Sequence, residues 1–166
     1  MKIVGEALES LAIKESSAEN ANLYGRSAFN RYYYASFLVT RETLAKLDPK
    51  WKMTPHAEIP TRLRETICIS VKRELEKQVR AGLKTKSEKG NLLTNLQSSS
   101  AELAELLEHA YDARVVADYR PEELIKIDEK IVSLRSYKLT TARAWPDRAN
   151  AYCKIILRVW KEVGLA

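Results

Sequence analysis

Glycine and proline are scarce, five of each in 166 residues, while Ala, Leu, Glu, Lys and Arg recur at helical spacing. Strands separated by turn clusters therefore have little support, and the fold class reads as all-α. Cysteine is scarcer still. Cys68 and Cys153 lie far apart with no Cys or His at metal-ligand spacing, which excludes a disulfide framework and a zinc site. Both are expected to be buried thiols, and neither a metal nor a cofactor is expected. No apolar run approaches the roughly 20 residues that a bilayer span needs. No apolar signal-like stretch follows Met1, so the expectation is a cytoplasmic protein without a membrane partner. Repeats, low-complexity tracts and linkers are also missing, which leaves a single helical domain over residues 1–166.

What is present is a surplus of positive charge, +6 from 28 Lys and Arg against 22 Asp and Glu. Clustered cations concentrate anions, so the balance is compatible with a nucleic-acid or acidic partner, although many proteins of such charge have none.

Val4, Leu8, Leu11 and Ala12 give a short first amphipathic helix with Glu6, Glu9 and Lys14 toward solvent, breaking near Ser16 and Ser17. Ser16 followed by Glu19 resembles a capping box. From there to Leu47 the chain holds no proline and only Gly25 as glycine, which predicts a long helix. It is apolar along Phe29, Tyr33, Phe37 and Leu44 and again along Ala28, Tyr32, Ala35 and Val39, so it should be central. Asp48-Pro49 ends it, and Pro60 suits the first turn of a third helix.

Ile59, Leu63, Ile67, Val71 and Leu75 carry that helix to about Val79, Gly82 closes it, and residues 84–90 read as a polar basic loop. Leu92, Leu96, Leu103, Leu106, Leu107, Ala110, Ala113 and Ala117 carry a fourth helix, with Ser98 to Ser100 as its weak point. Residues 122–137 are expected to be helical, and a last helix starts at Pro146 and runs through Ile155, Ile156, Val159 and Trp160.

Residues 25–37 (GRSAFNRYYYASF) and 110–119 (AYDARVVADY), with a loop carrying His56 between them, occur in an order that resembles the HEPN (higher eukaryotes and prokaryotes nucleotide-binding) family. The resemblance covers about residues 20–120. It implies an up-and-down helical bundle with a long central helix and additional short helices. It also implies a homodimer whose "R..ADY" helices face a shared cleft that binds RNA or nucleotide. Ribonuclease members hold an Arg followed four to six residues later by His; here Arg114 is followed by Tyr119, so the histidine is missing. The resemblance thus implies a metal-independent endoribonuclease of a toxin-antitoxin or defence system, in degenerate form. The alternative it implies is a non-catalytic binding or scaffold partner of a nucleotidyltransferase-like protein that modifies the motif tyrosine.

RNA self-cleavage needs a phosphate clamp and acid-base groups. Arg114, paired across a dimer axis, suits the clamp, with Arg31 and Arg120 as further nucleic-acid contacts. Tyrosine, with a reference pKa of about 10 against about 6.5 for histidine, is a poor proton shuttle. The catalytic candidates are Arg114, Asp118 and Tyr119. On a continuous helix Arg114 and Asp118 lie about 40° apart and Tyr119 about 140° from Arg114. Arg114 and Asp118 can therefore form an ion pair that only locks the helix. Tyr119 can either pack inward or swing toward a cleft at the helix end ahead of Pro121. The tyrosines at 32–34 and Phe37 suit a core helix better than base stacking, and His56 and His109 read as structural or exposed.

Overall fold

In the computed structural model, which describes residues 1–165, the chain is mainly helical. The elements are α1 (Lys2–Lys14), α2 (Ala18–Leu47), α3 (Ile59–Thr61), α4 (Cys68–Arg80), α5 (Lys86–Tyr119), β1 (Lys126–Asp128), β2 (Ile131–Leu134), β3 (Tyr137–Lys138), α6 (Leu139–Ala142) and α7 (Trp145–Glu162). Two compact units share the long helices. The first comprises residues 1–38 and 107–148, and the second comprises residues 39–106 and 149–166. No helix among the described residues is long and apolar enough to cross a membrane.

In the first unit the core is built on α2. Ala28, Phe29, Tyr32, Tyr33 and Phe37 are buried, as are Ala110, Ala113 and Ala117 of α5. Phe29 meets Trp145 at 6.4 Å between ring centroids. Against α2 packs α1, by only part of the expected face. Ala12 is buried as expected, but Val4 and Leu11 are exposed, and Gly5 and Glu9 turn inward. The reason is a polar contact that hydrophobic periodicity does not register: the Tyr32 hydroxyl donates to Glu9 Oε2 at 2.7 Å. A buried carboxylate needs such a donor. Burial and this carboxylate together push the Tyr32 phenol far above its ordinary value. Lys2 Nζ, 2.6 Å from Asp147 Oδ2, ties the start of α1 to the start of α7.

Residues 122–137 are not helical. They hold a three-stranded antiparallel sheet in the order β1-β2-β3. Ile127 pairs with Val132, and Leu134 pairs with Tyr137. In β2, Val132 and Leu134 are buried and Ile131 is exposed, the two-residue alternation of a strand with one inward face. The turns carry Glu129 at φ 54° and Arg135 at φ 53°. These left-handed positions usually fall to Gly or Asn, and without those residues the sequence sends no hairpin signal.

In the second unit α2 ends before Asp48-Pro49 and Pro60 sits in the first turn of α3, both as expected, while Asp48 also caps a short 3-10 turn at Pro49–Trp51. A π-helical stretch at Arg62–Ile67 joins α3 to α4. Its cause is legible in the spacing: Ile59, Leu63, Ile67, Val71 and Leu75 are all at most 1% exposed. A strict four-residue repeat drifts about 40° per step round an α-helix, and a wider i→i+5 turn absorbs part of that drift. Gly82, at φ 71°, closes the segment. Of the basic stretch expected as a loop, Lys84 and Thr85 do lie in the connection, but residues 86–90 already belong to α5. There Thr85 and Glu88 form a reciprocal cap, with Thr85 N donating to Glu88 Oε2 at 2.7 Å and Glu88 N to Thr85 Oγ1 at 3.2 Å. Ser98 to Ser100 do not interrupt α5, because Ser99 and Ser100 are buried within it. Cys153 is buried as expected, while Cys68 is half-buried. The start of α2 is capped by Ser17 and not Ser16, with Asn20 N donating to Ser17 Oγ at 3.4 Å.

A Cβ on Gly5 would stand 2.7 Å from Cε1 of the enclosed Tyr32 ring. Gly5→Ala is expected to lower stability by about 1–3 kcal/mol through overpacking, and an unchanged midpoint in urea denaturation would contradict this packing.

Candidate functional site

The last turns of α5 present Tyr111, Arg114 and Asp118 within about 60° of one another, as i, i+3, i+7 positions must. Asp118 Oδ2 lies 2.7 Å from Arg114 Nε, the ion pair anticipated from their spacing. The other carboxylate oxygen accepts a hydrogen bond from Asn30 Nδ2 of α2. The cluster is not saturated: Asn30 Oδ1 has no hydrogen-bond partner, and Arg114 Nε is held at ion-pair distance without a well-directed hydrogen bond. The Arg114 side chain is 17% exposed, so it is neither an open cation nor sealed away. Burial alone would lower its pKa; hydrogen bonding to the Tyr119 hydroxyl and the charge of Asp118 outweigh that and carry it above the ordinary arginine value.

Tyr119 does not pack in the core. It is 64% exposed, and its ring centroid lies 5.2 Å from Arg114 Cζ, a cation-π distance. Since α5 ends at Tyr119 just before Pro121, the ring can fold back over the guanidinium that helix geometry would place about 140° away. Arg120 follows, its side chain 62% exposed and its Nη1 3.9 Å from Glu122.

Arg31 stays outside this group. It is about 100° round α2 from Asn30, and its Nη1 lies 3.9 Å from Met1 Sδ on the α1 side. Neither histidine joins the group as a general base. His109 meets the rings of Tyr137 and Trp145, at 5.1 and 5.8 Å between centroids. His56 is exposed and belongs to the second unit. Among the described residues no three His, Cys, Asp or Glu side chains gather into a metal-binding group.

Two features escaped sequence reasoning. The first is Arg26, whose guanidinium donates to the carbonyls of Glu123 at 2.6 Å, Arg120 at 3.0 Å and Val116 at 3.3 Å. Only Val116 of these belongs to α5; its carbonyl also accepts from Arg120 N at 3.2 Å, and that of Arg120 from Glu123 N at 3.1 Å, so the cation reinforces the turn that leaves the helix and opposes the negative end of its dipole. Nearby, Ile125 N donates to Asn22 Oδ1 at 3.0 Å. Gly25 leaves room for the Ile125 side chain, since a Cβ would meet it at 2.9 Å. Asn22, Gly25, Arg26 and Asn30 thus form one stripe of α2 that receives the end of α5 and the segment after it. Their spacing was readable, but their target, about 90 residues and more downstream, was not.

The second feature is aromatic. Tyr111 is 42% exposed and makes a T-shaped contact with Tyr33 at 5.8 Å, while Tyr33 meets Tyr34 at 5.3 Å. Tyr32, Tyr33 and Phe37 are core side chains as expected. Tyr34, at the border of the same cluster, is only half-buried.

Comparison of the chain with protein-family models, with curated proteins and with solved structures returns no match.

Arg26→Met keeps most of the stem and removes three charge-assisted hydrogen bonds. It is expected to cost about 1.5–3 kcal/mol and to raise amide exchange over residues 116–125 selectively. A uniform rise over the chain, or none, would show that Arg26 does not hold the end of α5.

Proposed function

We propose that this chain is an HEPN-type protein that binds RNA or a nucleotide through the Arg114–Tyr119 end of α5, as a homodimer in a cytoplasmic toxin-antitoxin or defence-type system. It does so without cutting the strand. The observation that carries the reading is the unsaturated Arg114–Asp118–Asn30 cluster under an exposed tyrosine. Guanidinium offers five N–H donors, and the ion pair with Asp118 is made at Nε. A phosphate oxygen can therefore add at the terminal amines or take over the place of the carboxylate, with paired hydrogen bonds that Asp118 does not make in full. The surplus charge of +6 assists the approach of an anion.

Cleavage is left out of the proposal for a chemical reason. A general base must reach the proton it removes and have a pKa near the working pH. Histidine, absent from the four to six positions after Arg114, is the side chain that usually meets both conditions.

In binding titrations with short RNA, Arg114→Ala is expected to weaken affinity about tenfold or more. The slope of log affinity against log salt is expected to fall by about one for each phosphate that no longer meets a cation. Asp118→Asn, which frees the guanidinium from its internal counter-ion, is expected to retain or strengthen binding. Equal affinity in wild type and Arg114→Ala would defeat the proposal, and strand scission sensitive to Arg114 would defeat its non-catalytic part.

The exposure of Tyr119 at 64% favours a second reading, in which its hydroxyl oxygen, giving up its proton, attacks the α-phosphorus of a nucleoside triphosphate held by a nucleotidyltransferase-like partner, takes the nucleotidyl group and releases pyrophosphate. Intact mass of the chain co-produced with such a partner is then expected to rise by one or more nucleotidyl units, and Tyr119→Phe to abolish the rise. An unshifted wild-type mass removes this reading.

A further inference from the structure

We propose that Tyr111 is a base-stacking residue of the same face, and that it biases binding toward single strands rich in purine. The inference rests on the RNA-binding reading above and extends it to a residue outside the "R..ADY" pattern.

Three observations converge. Tyr111 stands one helical turn before Arg114 on the same side of α5 and is 42% exposed. Its T-shaped contact with Tyr33, itself buried, fixes the ring against a rigid neighbour, so its side chain gives up little further freedom when a base stacks on it. Tyr119 lies over the guanidinium of Arg114, so aromatic rings and one cation alternate over a short surface. A face of that composition fits a ligand in which phosphates and π-faces also alternate, which is an unpaired polynucleotide segment. A duplex hides its bases inside the stack and presents mainly phosphates and sugars. Stacking gains grow with the overlap of the rings, so a two-ring base should gain more from Tyr111 than a one-ring base.

The test uses the full chain with fluorescent oligoadenylate, oligouridylate and the duplex formed from the two. Wild type is expected to bind oligoadenylate several-fold more tightly than oligouridylate or the duplex. Tyr111→Leu keeps an apolar side chain against Tyr33 but has no π-face. It is expected to lose about fivefold to tenfold in oligoadenylate affinity and to bring the two single strands to near equality. Tyr111→Phe is expected to retain both affinity and preference. A structural role would lower affinity for all three probes by the same factor, so an unchanged preference in Tyr111→Leu overturns the inference. If Tyr111→Leu binds as wild type while Arg114→Ala does not, the stacking role falls and the RNA-binding reading stands. If wild type binds none of the probes, both fall.

Discussion

The hydrogen bonds from Arg26 to the carbonyls of Val116, Arg120 and Glu123 are the constraint on which the candidate site depends. The helix α5 stops just before Pro121, at the level where the candidate side chains sit. Without a cation in that position the last turn of α5 would fray, and fraying there would move Arg114, Asp118 and Tyr119 independently. With it, the final turn is pinned to α2 at the same level where Asn30 reaches Asp118. The geometry of the cluster is therefore inherited from a structural cap, and the cap from a residue about 90 positions upstream.

That dependence explains which parts of the fold were legible. Most signals that act over a few residues were read correctly: Asp48-Pro49 ended α2, Pro60 opened α3, Gly82 followed α4, and the i,i+4 spacing of Arg114 and Asp118 produced their ion pair. Two local ones were not, since Ser17 caps α2 in place of Ser16 and the Thr85–Glu88 cap opens α5 inside the expected loop. The larger failures were cases in which a partner distant in sequence decided the outcome. Glu9 was expected in solvent because a carboxylate scores as polar wherever it stands; the Tyr32 hydroxyl gives it a buried place and turns Val4 and Leu11 outward. Ser99 and Ser100 weaken a helix in isolation, yet burial inside the second unit overrides that weakness. The sheet was missed because its strands are short and its turns hold Glu129 and Arg135 in a conformation that the sequence does not announce.

The candidate site was legible in its members and not in its arrangement. Arg114, Asp118 and Tyr119 do come together, and Tyr119 is exposed at a helix end. Arg31, next to Asn30 in sequence, faces another way because adjacent helical residues diverge by about 100°. Counting cations along a chain does not reveal which of them point together; Arg26, equally a cation, serves the backbone of α5 instead.

The placement of Asp118 separates a binding face from a catalytic one. A guanidinium meant to stabilise charge only as it develops works best when its donors are aimed at the transition state and are not engaged beforehand. Here a carboxylate stands 2.7 Å from Nε, so in the proposed binding mode a phosphate would compete with it from the first encounter, in ground state and transition state alike. Such an interaction supports affinity more readily than turnover. In that mode, once phosphate draws the guanidinium, Asp118 would retain Asn30 as a donor, and the carboxylate would not be left unpaired beside the anion. The amide that ties α5 to α2 would thus also lower the cost of releasing Arg114.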